Sequence, residues 1–345
     1  MLYSGGLRSY LEKLNLQTLD EINLIRLKSE EWKILSTFEH SKVRCLDINH
    51  TGEIFASGGE DHMIRIWNLK TGKCILRHTR YYRDYATGDV DYLMFSSDGK
   101  FIISKGFVSG SKSLQDLEQQ KIQILNWEAD EVISFIAAKN KESNSVIAVS
   151  PNSNVLAYDV NEKIQLYNFC NREYINILEG HGKGVSSITF SSDGRFLASG
   201  SRDGQVRIWK WKTGEFADFD FEHSKKVNAV AISPNNQVLA SGSDEGTIAL
   251  FNLATKKVYS HLTEHLDSVK AINFSPDSLI LASGSKDDTI KLWYVKTGEL
   301  IGTIKANAIQ VKGWEEGVYS LVFSPDGQLL LAGIGVGEIK IWQRV

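Results

Sequence analysis

His181, Ser199 and Asp203 are the residue types of a hydrolase triad: a hydroxyl nucleophile, an imidazole to take its proton and a carboxylate to hold the imidazole. The set is not single. His40, Ser57 and Asp61 stand at related spacing, as do His265, Ser283 and Asp287, and the three sets are followed by Trp209, Trp67 and Trp293 respectively. A catalytic nucleophile works in one pocket against one oxyanion hole, so a polar set repeated along the chain reads as a structural device. A buried imidazole needs a partner for each ring nitrogen, and a carboxylate and a hydroxyl supply them. No catalytic residue is assigned, and no enzymatic activity is expected.

The elements that must position these residues are short strands. From His181 to Trp209 the chain runs an alternating apolar segment (Val185, Ile188, Phe190), a Ser-Ser-Asp-Gly turn, a second segment (Phe196, Leu197, Ala198), a Ser-Arg-Asp-Gly turn and a third segment ending on Ile208 and Trp209. Period-two runs between turn residues predict antiparallel strands. The unit recurs with its marker position at Trp67, Leu125, Tyr167, Trp209, Phe251, Trp293 and Trp342, and the spacing from Leu125 to Trp293 is 42 residues four times running. All four prolines, Pro151, Pro234, Pro276 and Pro325, follow a serine in the turn between the first and second strands. Proline fixes φ for a turn and cannot serve inside a ladder, so its placement supports the same register.

A repeat of roughly 40–45 residues with a Gly-His opening and a terminal Trp resembles the WD-repeat family of propellers. Gly180-His181 is intact and the Leu-Ala-Ser-Gly-Ser core stands at residues 197–201, whereas Glu39-His40, Glu222-His223 and Glu264-His265 replace Gly-His and no copy ends in Trp-Asp. The resemblance covers residue 31 to the last residue. It implies an all-β, seven-bladed β-propeller of four-stranded antiparallel blades. It further implies that His, Ser, Asp and Trp form one tetrad per blade, with Asp and Ser bonding the imidazole and the imidazole reaching the indole. The third repeat carries Tyr158 and Tyr167 in place of Ser and Trp. In the seventh, Ala332 and Val336 replace Ser and Asp, and Trp314 takes the His position. Trp342 leaves no room for an outer strand of its own, so the segment Trp32–Phe38 is expected to complete the last blade and shut the ring. Residues 1–30 are a separate helical extension and 31–345 the propeller. Thr18-Leu19-Asp20-Glu21 has the form of a capping box, Leu19, Ile22, Ile25 and Leu27 make an apolar face, and an earlier helix is expected over Leu7–Leu14.

Composition narrows the function. The net charge is −3, which supplies no global basic field for nucleic acid. Cys45, Cys74 and Cys170 lie in three repeats without CxxC spacing, which reads as reduced thiols in a cytoplasmic protein. The eight histidines are scattered, the glycines sit in turns, and neither a metal nor a cofactor site emerges. The opening MLYSGGLRSYLEKL has no apolar signal core, and no run approaches a membrane span.

The departures from the 42-residue period carry the functional signal. Relative to the fourth repeat there are five extra residues between Trp67 and Val90, eleven between Val90 and Leu125, and seven between Trp293 and Val318. Alternation within a blade sends the outer-to-inner connections and the second-to-third-strand turns to one face. The second and seventh repeats flank the first, so the enlarged loops gather over one sector. They hold Tyr81, Tyr82, Arg83, Tyr85, Phe107, Lys112 and Trp314, types that dominate interface hot spots. Lys183, Arg202, Lys225 and Lys286 are expected on the same face, where they suit an acidic or phosphorylated segment. The reading is a non-catalytic scaffold or assembly subunit, a monomeric propeller within a hetero-complex of one or more proteins, with no membrane or metal partner. Three alternatives stay open: a sensor module of a signalling or defence assembly docked through residues 1–30, a propeller enzyme or small-ligand binder, and nucleic-acid binding through a local Lys/Arg patch, which the net charge disfavours.

Overall fold

The computed structural model describes residues 23–24, 26–28, 30–39, 42–79, 87–106, 108–109, 119–139, 146–152, 154–306 and 317–345. Seven four-stranded antiparallel sheets account for nearly all of them, arranged as blades around a central axis. The fourth blade shows the pattern: Val185–Phe190 innermost, then Leu197–Ser201, Gln205–Lys210 and Glu215–Glu222 at the rim. Second strands such as Val238–Ser243 and Ile280–Ser285 are buried at every position, because each is covered on both faces by neighbouring blades.

The ring closes as the missing outer strand requires. Trp32–Glu39 pairs antiparallel with Glu338–Arg344, so the last blade holds its own three strands plus the first strand of the chain. Chain ends are tied further by backbone bonds between Glu31 and Val345 and by the Arg344 guanidinium on the Glu30 carboxylate. Among residues 1–30, those at 23–24 and 26–28 are helical, and Leu27 is buried between the last two blades. The expected helices over Leu7–Leu14 and from Thr18 fall otherwise outside the described residues.

Five blade junctions share one packing device. Gly58, Gly200, Gly242, Gly284 and Gly333 sit in second strands against a valine in, or just before, the next blade's inner strand. A Cβ at Gly200 or Gly284 would come within 2.5 Å of Val227 or Val318, so only glycine lets these sheets approach. The second and third blades break the rule. Their equivalent positions hold Lys105 and Asp159, both buried, and the two pair across the junction. The Lys105 ammonium also reaches the Asp159 carbonyl, and the Val146 amide donates to the Asp159 carboxylate. A buried charge is tolerated only when paired and hydrogen-bonded, and this pair meets that condition.

Polar side chains also link adjacent inner strands. Ser187 Oγ accepts the Val230 amide at 3.0 Å and Ser320 Oγ the Leu46 amide at 3.0 Å. Asn273 accepts the Phe323 amide at 3.1 Å, and Asp47 performs the same service for Phe95 at 2.7 Å. Burial pushes the Asp47 carboxyl up to about 7 even against hydrogen bonds from the Phe95 and Ile48 amides.

Candidate functional site

In the fourth and sixth blades the polar sets form complete relays. Trp209 Nε1–H donates to Ser199 Oγ at 2.8 Å, Ser199 Oγ stands 2.7 Å from His181 Nε2, and His181 Nδ1 stands 3.2 Å from Asp203. The sixth blade repeats this with Trp293, Ser283, His265 and Asp287 at 2.8, 2.7 and 2.8 Å. The imidazole does not bond the indole directly, as the family pattern had implied. An indole N–H is donor only, and a hydroxyl both accepts and donates, so serine is the bridge and the two rings meet edge to face at 6.1 Å in the fourth blade. Burial raises the Asp287 carboxyl, but hydrogen bonds from His265, Thr289 and the Leu266 amide outweigh it and hold the group well below the usual range. Ser57, Ser199 and Ser283 are fully buried, so none can meet a substrate as a nucleophile.

The first blade is different. Trp67 Nε1–H donates to Ser57 at 2.9 Å, while Asp61 caps the Met63 amide and pairs with Arg65; His40 lies outside the described residues. The fifth blade carries a set that sequence reading passed over. His223 Nε2 stands 2.8 Å from Ser241 Oγ and Nδ1 3.4 Å from Glu245. The signal was present, since His223 precedes Ser241 and Glu245 by the same 18 and 22 residues that separate His181 from Ser199 and Asp203. Phe251 in place of Trp removed the marker that drew attention to the others.

A cavity of about 460 Å³ runs along the axis and is lined from all seven blades. Arg44, Asp91, Ser186, Asn228, Lys270 and Tyr319 contribute the polar wall, with Val146 from the third blade. Lys226, in an outer-to-inner connection, and Lys286, in a second-to-third-strand turn, mark the face on which it opens. Charge at this mouth is uneven. On the first blade the Glu60 carboxylate takes both Lys42 and Arg44. On the fifth and sixth blades Asp244 takes Lys270 at 3.0 Å together with Ser268 and Asn228, and its charge also acts on Lys226. Burial and the neighbouring Lys270 and Arg202 charges hold the Lys226 ammonium below the usual lysine range.

Two enlarged connections meet on this face. Thr87–Gly88, before the second blade, pairs with Val108–Ser109, in the turn after its second strand, as a two-stranded ribbon outside the blades. Tyr81, Tyr82, Arg83, Tyr85, Phe107, Lys112 and Trp314 all lie outside the described residues. Among the described residues no group of three His, Cys, Asp or Glu is placed to hold a metal ion, and no helix is long and apolar enough to cross a membrane.

Comparison with known proteins agrees with the architecture. The family described as WD domain, G-beta repeat matches residues 32–68, 172–210, 218–252, 256–294 and 303–343, just over half of the chain. The unmatched stretch includes the whole second blade and most of the third, where Lys105 and Asp159 replace glycine. Over 34 residues the chain is 47% identical to Ribosome biogenesis protein erb1 of Schizosaccharomyces pombe; the stretch is 10% of this chain and 5% of that relative, so the chain spans only a small part of it. With seven closed blades, serine-bridged relays and five matching repeats, the chain belongs to the WD-repeat family.

Proposed function

We propose that this protein is a non-catalytic platform for protein–protein contact, working through the face on which the axial cavity opens. The supporting observation is the ribbon Thr87–Gly88 with Val108–Ser109: two independent insertions converge on the side of the disc that carries the cavity mouth. Insertions that collect on one face of a repeat protein mark its binding side. A closed ring holds those loops in place, so a partner meets a surface already ordered and the entropic cost of association is small. WD-repeat propellers serve as scaffolds of this kind, and the buried serines of the relays give no support to a hydrolase reading. The helical residues 23–24 and 26–28 act as a rim cap over the last two blades, supported by the burial of Leu27 and the Lys28–Glu299 pair at 3.0 Å. We read the setting as cytoplasmic from the three cysteines, which form no disulfide. The 34-residue likeness to a ribosome biogenesis protein covers less than one repeat and assigns no assembly.

The test is an affinity capture from native lysate with the wild-type chain beside a Tyr81→Ala, Tyr82→Ala, Trp314→Ala variant shown by circular dichroism to remain folded. A specific partner held by wild type and lost by the variant supports the platform and its sector. A partner that survives that change but disappears when residues 1–30 are deleted moves the docking element to the extension.

A further inference from the structure

Each blade ends at the rim in an outer strand that is bonded on one side only, so the circumference of the disc is a set of open sheet edges. At the third blade that strand is Glu173–Leu178. Tyr174, Ile175 and Ile177 are 64%, 42% and 47% exposed, and among the described side chains no other outer strand shows as many large apolar groups. Native edges are commonly blunted by charge or proline. From Tyr174 to Leu178 this one carries neither.

The free backbone groups of this edge follow from the pairing. The Phe169 amide bonds to the Asn154 carbonyl, so alternation turns Ile164, Leu166 and Asn168 toward the outer strand. Their partners there are Leu178, Asn176 and Glu173, whose backbone groups are thereby used. Tyr174 and Ile177 present theirs to the open edge. Ile175 is the extra residue of a bulge, and it shifts the alternation by one between these two positions.

That shift decides what the edge can pair with. Around a two-fold axis it sets Tyr174 of one copy against Ile177 of another, both with free backbone groups. Two residues further out, the same operation sets Arg172 against Glu179, once at each end, and both side chains are exposed. Opposite charges directly across a ladder stabilise it, and like charges oppose it. Glu179 holds Lys163 of its own blade at 2.6 Å, and a carboxylate has room for a second donor. The equivalent positions on the first, fifth and sixth blades are Gly72 with Thr79, Lys256 with Thr263 and Gly298 with Lys305, none of them complementary.

We propose that the occupant of this edge is a second copy of the chain, and that Glu173–Leu178 joins the third blades of two propellers into one continuous sheet. Strand addition of this kind takes its affinity from main-chain bonds and its specificity from the side chains. The interface is isologous and closes on itself, so assembly stops at the dimer. It lies on the rim and is independent of the platform face, and it makes the unit a pair of propellers where sequence led us to expect one.

The test is sedimentation equilibrium on the full chain, with circular dichroism to show that each variant is folded. Wild type should show a concentration-dependent equilibrium between monomer and dimer. Arg172→Glu alone and Glu179→Arg alone each bring like charges together at both ends, and each should weaken association by about tenfold. Both changes in one chain restore the opposed charges and should return the dimer to within about threefold of wild type. Mixing the two single variants should yield a heterodimer, because every facing pair is then complementary. A wild-type chain that stays monomeric overturns the proposal and leaves the edge to a strand of another protein. Single variants that dimerise as wild type does, or that fail to pair with each other, overturn it as well.

Discussion

Ser199 stands between two rings that cannot satisfy each other, and its hydroxyl completes both. Replacing it with alanine strands the buried Trp209 N–H and removes the donor to His181 Nε2. Leaving such groups unpaired costs about 1–3 kcal/mol each, so Ser199→Ala is expected to lower stability by about 2–4 kcal/mol in urea unfolding. Asp47 gives a second residue-scale prediction. Its folded pKa, raised to about 7, means that the native state holds more protons than the unfolded chain between about pH 4 and 7. Stability contributed at this site is therefore greatest in acid and is lost as pH rises toward 7. Asn273 fills the matching position as a neutral acceptor. Asp47→Asn should equal wild type near pH 4, gain on it through pH 7 and keep a constant advantage above, read as the difference in urea midpoints. The recurring His, Ser and Asp were legible in sequence because their spacing repeats. The serine bridge was not, since residue types do not say which of two acceptors a donor reaches.

At the scale of elements, the junctions between blades divide into two kinds. Where glycine meets valine, a methyl group has no room: Gly284→Ala should cost about 1–3 kcal/mol by overpacking against Val318. The junction of the second and third blades depends instead on Lys105 and Asp159. Lys105→Met removes the counter-charge of the buried Asp159 carboxylate and is expected to cost about 3–5 kcal/mol. Adding Asp159→Asn, which keeps an acceptor for the Val146 amide, should recover more than half of that loss in the same denaturation series. Survival of the single variant at wild-type stability would show that the pair is not what holds this junction. The prolines and the 42-residue period made the strands and their turns readable. The ion pair stayed hidden because its partners are 54 residues apart and each looks like an ordinary surface charge in a strand ending.

The whole molecule is a closed disc with two unlike faces. Closure by the first strand was foreseeable because Trp32–Phe38 has the character of an outer strand that precedes any inner strand of its own. The axial cavity and its uneven charge were not, since they depend on single positions brought together from all seven blades. The central claim is that partners meet the face bearing the cavity mouth and the enlarged loops. Lysines report on both sides: Lys183, Lys225 and Lys286 lie in outer-to-inner connections and second-to-third turns, whereas Lys70, Lys212 and Lys256 lie in third-to-fourth turns on the other side. The most direct measurement is lysine cross-linking with mass spectrometry on the complex isolated from native lysate. The account predicts that partner cross-links concentrate on Lys183, Lys225 and Lys286. Cross-links gathered on Lys70, Lys212 and Lys256 would contradict it.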